Sequence, residues 1–147
     1  MANPDFKAAA RRHHDDAGFL LGGGRWPNAD HLAGVAAECA LKAIIQFAPF
    51  GATPNPKGFL VWGGPPGKEM RDHVNKLWGE LAQNISGHSA PVFATLFAGP
   101  SPFADWDVSE RYASGTTIGK QKAAARVSAA GQIMTVLQQA ELDGYVS

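Results

Sequence analysis

Hydrophobic residues recur every three or four positions along much of the chain, which is the spacing of one face of an α-helix. The longest such run in the first half covers residues 25–47 and is rich in Ala and Leu, which favour helix formation. Its main apolar stripe comprises Leu32, Val35, Ala36, Cys39, Ala43 and Phe47. We expect this helix to lie at the centre of the fold. Pro27 suits its first turn, and Asn28 or Asp30 can satisfy its free amides.

The same spacing predicts further helices over residues 5–21, 68–85 and 119–142. A short helix is expected from Ser89 or Ala90 to 97, and a single turn at 108–113. Asp5 is placed to cap the first helix, residues 22–24 are glycines that end it, and residues 86–87 (Ser-Gly) end the third. The sequence therefore predicts an all-α fold, an antiparallel bundle of four to five helices, in a single domain over residues 1–147.

Residues 48–67 interrupt the helical pattern between the second and third helices. Pro49, Pro54, Pro56, Pro65 and Pro66 exclude a regular helix through this long Pro- and Gly-rich loop. Its middle, residues 59–62 (Phe-Leu-Val-Trp), is the one segment with a convincing strand pattern. We expect that segment to lie extended, either over an edge of the core or against a partner.

The charge balance argues against one broad class of function. The 13 basic and 13 acidic residues give a formal net charge of zero, so the chain lacks the overall positive field of a protein that binds nucleic acid by broad attraction. The single cysteine, Cys39, lies on an apolar stripe and is interpreted as a buried structural thiol. No long apolar run or signal-peptide pattern is present, so we expect a soluble, cytoplasmic protein that does not enter a membrane.

Two short motifs resemble ligand sites but fail on geometry. In residues 13–16 (His-His-Asp-Asp), neighbouring helical side chains point about 100° apart and cannot converge on one metal ion. Instead, His13 is expected to pack inward while Asp15 and Asp16 face outward. Residues 63–68 lack the first glycine and the Ser or Thr of a phosphate-binding loop, and two prolines remove amide donors. Ser86, Ser89 and Ser114 are interpreted as residues at helix boundaries. No metal or cofactor is predicted.

Three short motifs, in order, resemble the HEPN family (higher eukaryotes and prokaryotes nucleotide-binding domains). The first is residues 36–43 (Ala-Ala-Glu-Cys-Ala-Leu-Lys-Ala), similar to the family's Ala-Ala-Glu-x-Ala-x-Lys-Ala core. The second is residues 73–77 (His-Val-Asn-Lys-Leu), where Val74 replaces an Asp, and the third is the pair Arg111-Tyr112. Helix order and lengths also agree from about residue 8 to residue 142. The resemblance implies a helical bundle that often forms a homodimer.

Family members include metal-independent ribonucleases of toxin–antitoxin and defence systems, partners of nucleotidyltransferases, and domains that bind nucleotides without catalysis. The ribonucleases carry an Arg followed four to six residues later by a His, late in the bundle. Here the only pair at that spacing is Arg25 and His31, which lies before or at the start of the second helix. The resemblance therefore implies binding of nucleotide or RNA, with the usual cleavage motif absent.

Six polar residues form the candidate site, five on the matching motifs and one, His31, earlier on the second predicted helix. His73, Arg111 and Tyr112 are the candidate catalytic residues, and His31, Glu38 and Lys42 are the candidate ligand-binding residues. Arg can hold a phosphate through two donors, Tyr can stack or donate, and His can exchange a proton near neutral pH. The structural alternative is that Glu38, Lys42 and Arg111 form an ion-pair network, with Tyr112 at the edge of the core.

Two further functions are compatible with the sequence. One is a metal-independent ribonuclease toxin with a non-standard site at His73 and Arg111. The other is a non-catalytic subunit whose apolar residues 59–62 dock an antitoxin, a nucleotidyltransferase or another protein. A homodimer is also predicted, since aromatic residues fall in loops that a small bundle covers poorly, namely Trp26, Phe50, Trp62 and Trp106.

Overall fold

The computed structural model describes residues 4–85 and 91–147, and these residues are mostly helical. Five α-helices occur within them: α1 (Phe6–Gly22), α2 (Trp26–Ile45), α3 (Val74–Ile85), α4 (Pro91–Leu96) and α5 (Lys120–Leu142). A 3-10 helix covers Val108–Tyr112, where a single turn was predicted. The expected caps and stops at Ser86, Gly87, Ser89 and Ala90 lie outside the described residues. None of the described helices is long and apolar enough to cross a membrane.

The second helix lies at the centre, as its composition predicts. It packs against α1, α3, α5 and the 3-10 helix, and more than half of its residues are buried. Small side chains at Ala33, Ala36, Ala37 and Ala40 allow neighbouring helices to approach its backbone closely, and Leu41, Ile44 and Ile45 supply larger apolar groups to the core. The prediction that residues 25–47 form a central buried helix is confirmed, with bounds one or two residues narrower.

The N-termini of α1 and α2 differ in how their free backbone amides are capped. The Asp5 side chain accepts a hydrogen bond from Ala8 N at 3.0 Å, which confirms its predicted role as a cap. Arg25 precedes α2 and makes no side-chain capping bond. The expectation that Asp30 helps to satisfy the free amides of α2 is wrong, because its carboxylate is buried beside Arg126 instead.

A small antiparallel sheet corrects the all-α prediction. Its strands are β1 (Thr53–Pro54), β2 (Leu60–Trp62) and β3 (Lys68–Glu69), in the order β1-β2-β3. Thr53 pairs with Val61, which in turn pairs with Glu69. Leu60 belongs to the core, and the Trp62 indole donates to Phe50 O at 2.9 Å. The predicted extended segment is therefore confirmed as the central strand of a sheet whose Leu60 packs into the core.

The third helix begins six residues later than its sequence predicts. Lys68 and Glu69 pair with β2, and Met70 N donates to Leu60 O at 2.7 Å, so these residues are extended instead of helical. The glycines at 63 and 67 have positive φ and close the turn between β2 and β3. As a result His73 stands immediately before α3, where its carbonyl accepts from Lys76 N and Leu77 N.

Of the four aromatics predicted to lie in loops, Trp26 begins α2 and Trp62 ends β2, so the prediction is wrong for these two. The chain itself covers the other two. Phe50 and Trp106 are buried, while Trp26 and Trp62 are partly buried. These aromatics were the sequence argument for a dimer, and the structure removes much of that argument. Among residues 4–85 and 91–147, the strongly exposed large apolar or aromatic side chains are Phe19, Tyr112, Leu142 and Val146.

Candidate functional site

Glu38 joins three of the predicted site residues into one network. Its carboxylate accepts from Lys42 Nζ at 3.1 Å, the i,i+4 contact that the helical spacing favours. Its other oxygen lies 2.9 Å from Nδ1 of His73, which comes from the start of α3. The side chain of Glu38 is mostly buried, whereas that of His73 is 49% exposed. This arrangement engages Nδ1 of His73, while about half of the side chain stays exposed to solvent.

Trp106 connects His73 to a second histidine. The His31 ring stacks on the Trp106 ring, with centroids 5.7 Å apart and planes inclined by 15°. The His73 ring is 6.3 Å from the same indole, at an angle of 60°. Burial lowers the pKa of His31, and the positive side chain of Arg111 and the neighbouring His13 and His73 lower it further. Four titratable or cationic groups therefore surround this part of α2.

Arg111 and Tyr112 lie on the surface of the 3-10 helix. The Arg111 guanidinium stacks over the Tyr112 ring, 4.8 Å from its centroid, and the Tyr112 residue is 78% exposed. Arg111 makes no ion pair with Glu38 or with any other described residue. The alternative in which Arg111 joins the Glu38–Lys42 network and Tyr112 borders the core is therefore wrong. The ion pair between Glu38 and Lys42 that it included is present.

The structure brings together His31, Glu38, Lys42 and His73 and places Arg111 close enough to His31 to affect its pKa. Tyr112 is attached to the same surface through Arg111 only. Lys42 also lies 5.6 Å from the centroid of the Phe6 ring, so α1 closes one side of the network. The site is thus an open surface at the junction of α2, α3 and the 3-10 helix.

Cys39 neighbours this network but does not take part in it. The thiol is buried, and burial together with the negative charge of Glu38 raises its pKa to about 11. A thiol with such a pKa stays protonated and is a poor nucleophile at neutral pH. The predicted structural role of Cys39 is confirmed.

The histidines of α1, His13 and His14, are partly buried in the fold. His14 Nε2 lies 3.3 Å from Val127 O, and a methyl group on Gly131 would come within 3.2 Å of the same nitrogen. Gly131 therefore allows α1 and α5 to approach closely. His13 is half-buried, and burial lowers its pKa. Asp15 and Asp16 are exposed, as predicted. Within residues 4–85 and 91–147, no three His, Cys, Asp or Glu side chains are placed to hold a metal ion.

Two important features were missed by the sequence argument. Trp106, interpreted there as a loop aromatic, lies beneath both histidines and is only 2% exposed. Asp30 and Arg126 form a buried ion pair, with Oδ1 and Nη1 3.5 Å apart. A signal for this pair existed, since Asp30 is in phase with the buried Ala33 and Ala37, and a charge on a buried stripe needs a partner.

Chemically, the surface offers one oriented imidazole, one exposed guanidinium and one exposed aromatic ring. These are groups that bind phosphate and stack on bases. Comparisons of the chain with protein-family models, with curated proteins and with solved structures find no match.

Proposed function

We propose that the chain is a HEPN-like domain, folded as an up-and-down helical bundle, that binds a nucleotide or RNA at the surface formed by His73, Arg111 and Tyr112. In this proposal Arg111 holds a phosphate, Tyr112 stacks on a base or donates to the ligand, and His73 contacts the ligand through its free ring nitrogen. Glu38, which is paired with Lys42, holds His73 in place, and His31 packs beside the same surface.

The observation that carries the proposal is the Glu38–His73 contact. A carboxylate bound to Nδ1 favours the tautomer in which Nδ1 carries the proton, so Nε2 is left as the acceptor of a side chain that is 49% exposed. Such an orientation is required when an imidazole binds or exchanges a proton with a ligand. Arg111 has no carboxylate partner among the described residues, so its charge is available to an anion. Because the net charge is zero, attraction would be confined to this surface.

The runner-up is a metal-independent ribonuclease with a non-standard site. His73 Nε2 would take the proton of a ribose 2′-hydroxyl, whose oxygen bonds to the neighbouring phosphorus as the bond to the 5′-oxygen breaks. The products would be a 2′,3′-cyclic phosphate and a 5′-hydroxyl, whose oxygen takes its proton from water. Arg111 would neutralise the charge that grows on the phosphate oxygens. The same Glu38–His73 contact favours this function, since a carboxylate bound to one ring nitrogen orients the imidazole for proton transfer at the other.

The third function, a non-catalytic subunit of an antitoxin or nucleotidyltransferase complex, rested on residues 59–62 as a docking segment. Leu60 is buried in the core and Trp62 is partly buried, so this segment offers less apolar surface than its sequence indicates. A homodimer remains compatible with the proposal and is tested by a measured mass.

Fluorescence anisotropy with a labelled single-stranded RNA and with labelled ATP tests the proposal. Arg111→Ala and His73→Ala should each weaken binding by about tenfold, the loss expected when a charged contact is removed. Lys57→Ala removes an equal charge from an exposed loop position outside the surface and should bind as the wild type does. Equal losses in all three variants, or no binding by the wild type, would refute the proposal. Cleavage of the RNA without metal, abolished by His73→Ala, would favour the ribonuclease.

A further inference from the structure

Residues 105–107 (Asp-Trp-Asp) lie where α2, α5 and the 3-10 helix meet, and each of the three makes a different anchoring contact. Asp105 pairs with Arg126 and, at 3.1 Å, with Lys122, both on α5. The Trp106 indole N–H donates to the carbonyl of Asp30 on α2 at 3.1 Å. Asp107 accepts from Ser109 N at 2.8 Å and thereby caps the 3-10 helix that carries Arg111 and Tyr112.

The position of the Trp106 ring is set by a glycine. Gly34 lies one helical turn after Asp30, and a methyl group on it would overlap the indole ring. The ring therefore occupies the space beside α2 that a side chain at residue 34 would need. From this position its ring stacks on that of His31 and lies 6.3 Å, centroid to centroid, from that of His73.

The buried ion pair fixes the same segment from α5. Arg126 is 4% exposed and reaches both Asp30 on α2 and Asp105 in the loop. One guanidinium thus connects the helix that accepts the Trp106 hydrogen bond with the residue that precedes Trp106. The planar guanidinium, with its several N–H donors, can bridge two carboxylates better than the single ammonium of a lysine.

We infer that Gly34, Trp106 and Arg126 are positioning residues, which place His31, His73 and the 3-10 helix relative to one another without contacting the ligand. This inference rests on the proposed function for its effect on binding. Its structural part stands independently, because the placement of the two histidines can be measured without any ligand.

The first test is Gly34→Ala, with Gly18→Ala as a matched control. Both glycines lie within helices, but a methyl group at residue 18 meets nothing within 4 Å. In ligand-free protein, NMR should show the His31 and His73 ring signals of Gly34→Ala moving as the indole is displaced, since ring currents depend steeply on distance. Gly18→Ala should leave these signals unchanged. Unchanged histidine signals in a folded Gly34→Ala protein would overturn the inference.

A second variant covers the case in which Gly34→Ala does not fold. Trp106→Phe keeps a buried ring but removes the N–H donor to Asp30 and half of the stacking surface. Its His31 and His73 signals should move in a folded protein, as judged by the remaining backbone spectrum. Changes spread evenly over the whole protein, with none concentrated at His31, His73 or residues 108–112, would contradict a positioning role.

Binding of labelled single-stranded RNA then distinguishes a failure of the proposed function from a failure of the positioning role. If the wild type binds, Gly34→Ala or Trp106→Phe should weaken binding by about tenfold, the scale of losing one well-placed contact. Displaced histidines with unchanged affinity would overturn the positioning role while leaving the proposed function intact. If the wild type does not bind, the proposed function fails, while the histidine signals still decide whether Gly34 and Trp106 position the two rings.

Discussion

Replacement of Arg126 by Met tests whether the buried ion pair is energetically important. The two side chains of the pair are almost fully enclosed, with 5% of Arg126 and 2% of Asp30 exposed. Methionine fills much of the volume of the arginine stem, so the packing loss is small. The main effect is an unpaired carboxylate on Asp30, and breaking one side of a buried pair costs about 3–5 kcal/mol. The Asp105 side chain is 70% exposed, so its contact with Arg126 adds no more than about 1 kcal/mol.

The measurement is urea unfolding of the wild type, Arg126→Met, Asp30→Asn and the double variant. We expect Arg126→Met to lower the free energy of unfolding by about 3 kcal/mol at pH 7, because the charge on Asp30 then lacks its partner. Asp30→Asn removes that charge, so the double variant should be at least about 1 kcal/mol more stable than the sum of the single losses predicts. This account would be refuted if Arg126→Met lowered the free energy of unfolding by less than about 1 kcal/mol and the double variant lost only the sum of the two single losses.

The pH dependence gives an independent check of the same cause. Burial raises the pKa of Asp30 in the folded protein, and Arg126 opposes that rise. Without Arg126 the pKa should rise further above its unfolded value of 3.8. The folded variant then binds more protons than the unfolded chain, so its stability deficit should shrink as pH falls toward 4 and grow as pH rises. When Asp30 is already replaced by Asn, the stability lost on Arg126→Met should no longer depend on pH. If that pH dependence persisted, another titratable group would be its cause.

Three further outcomes follow from burial. Cys39, whose pKa is raised to about 11, should react with a thiol reagent at pH 8 only as fast as the chain unfolds, and rapid labelling of native protein would contradict its burial. Because the pKa of His31 is lowered from 6.5 in the fold, its contribution to stability is present above pH 6.5 and is lost as pH falls through the folded pKa. In His31→Gln the free energy of unfolding should therefore fall less steeply with decreasing pH than in the wild type. The same dependence on pH in both proteins would contradict this. Leu41 is fully buried, so Leu41→Ala should lower the free energy of unfolding by about 2–5 kcal/mol, and a loss under about 1 kcal/mol would contradict its place in the core.

The helices were predictable because their signal is local. Residues 25–47 combine helix-forming residues with an apolar stripe, and burial of that stripe follows from the pattern. The start of α3 was not predictable in the same way. Met70 and Val74 continue the helical spacing of Leu77 and Leu81, yet Met70 bonds to Leu60 in the sheet. Pairing with the strand just before it overrides the helical periodicity of this segment, and the spacing of apolar residues does not record that pairing.

The candidate site was predictable only where its contacts are local. Glu38 and Lys42 are one turn apart, so their ion pair follows from helix geometry. The His73 contact with Glu38 spans 35 positions and came from the order of the family-like motifs. The place of Trp106 depends on the space left by Gly34, which no pattern of polar and apolar residues encodes.

An NMR titration of labelled protein with a short single-stranded RNA, and separately with ATP, tests the central claim most directly. The claim predicts saturable changes in the His73 ring, the Arg111 side chain and the Tyr112 ring. The side chain of Lys57, in an exposed loop outside this surface, should not respond. Saturable changes confined to another surface, or none with either ligand, would contradict it.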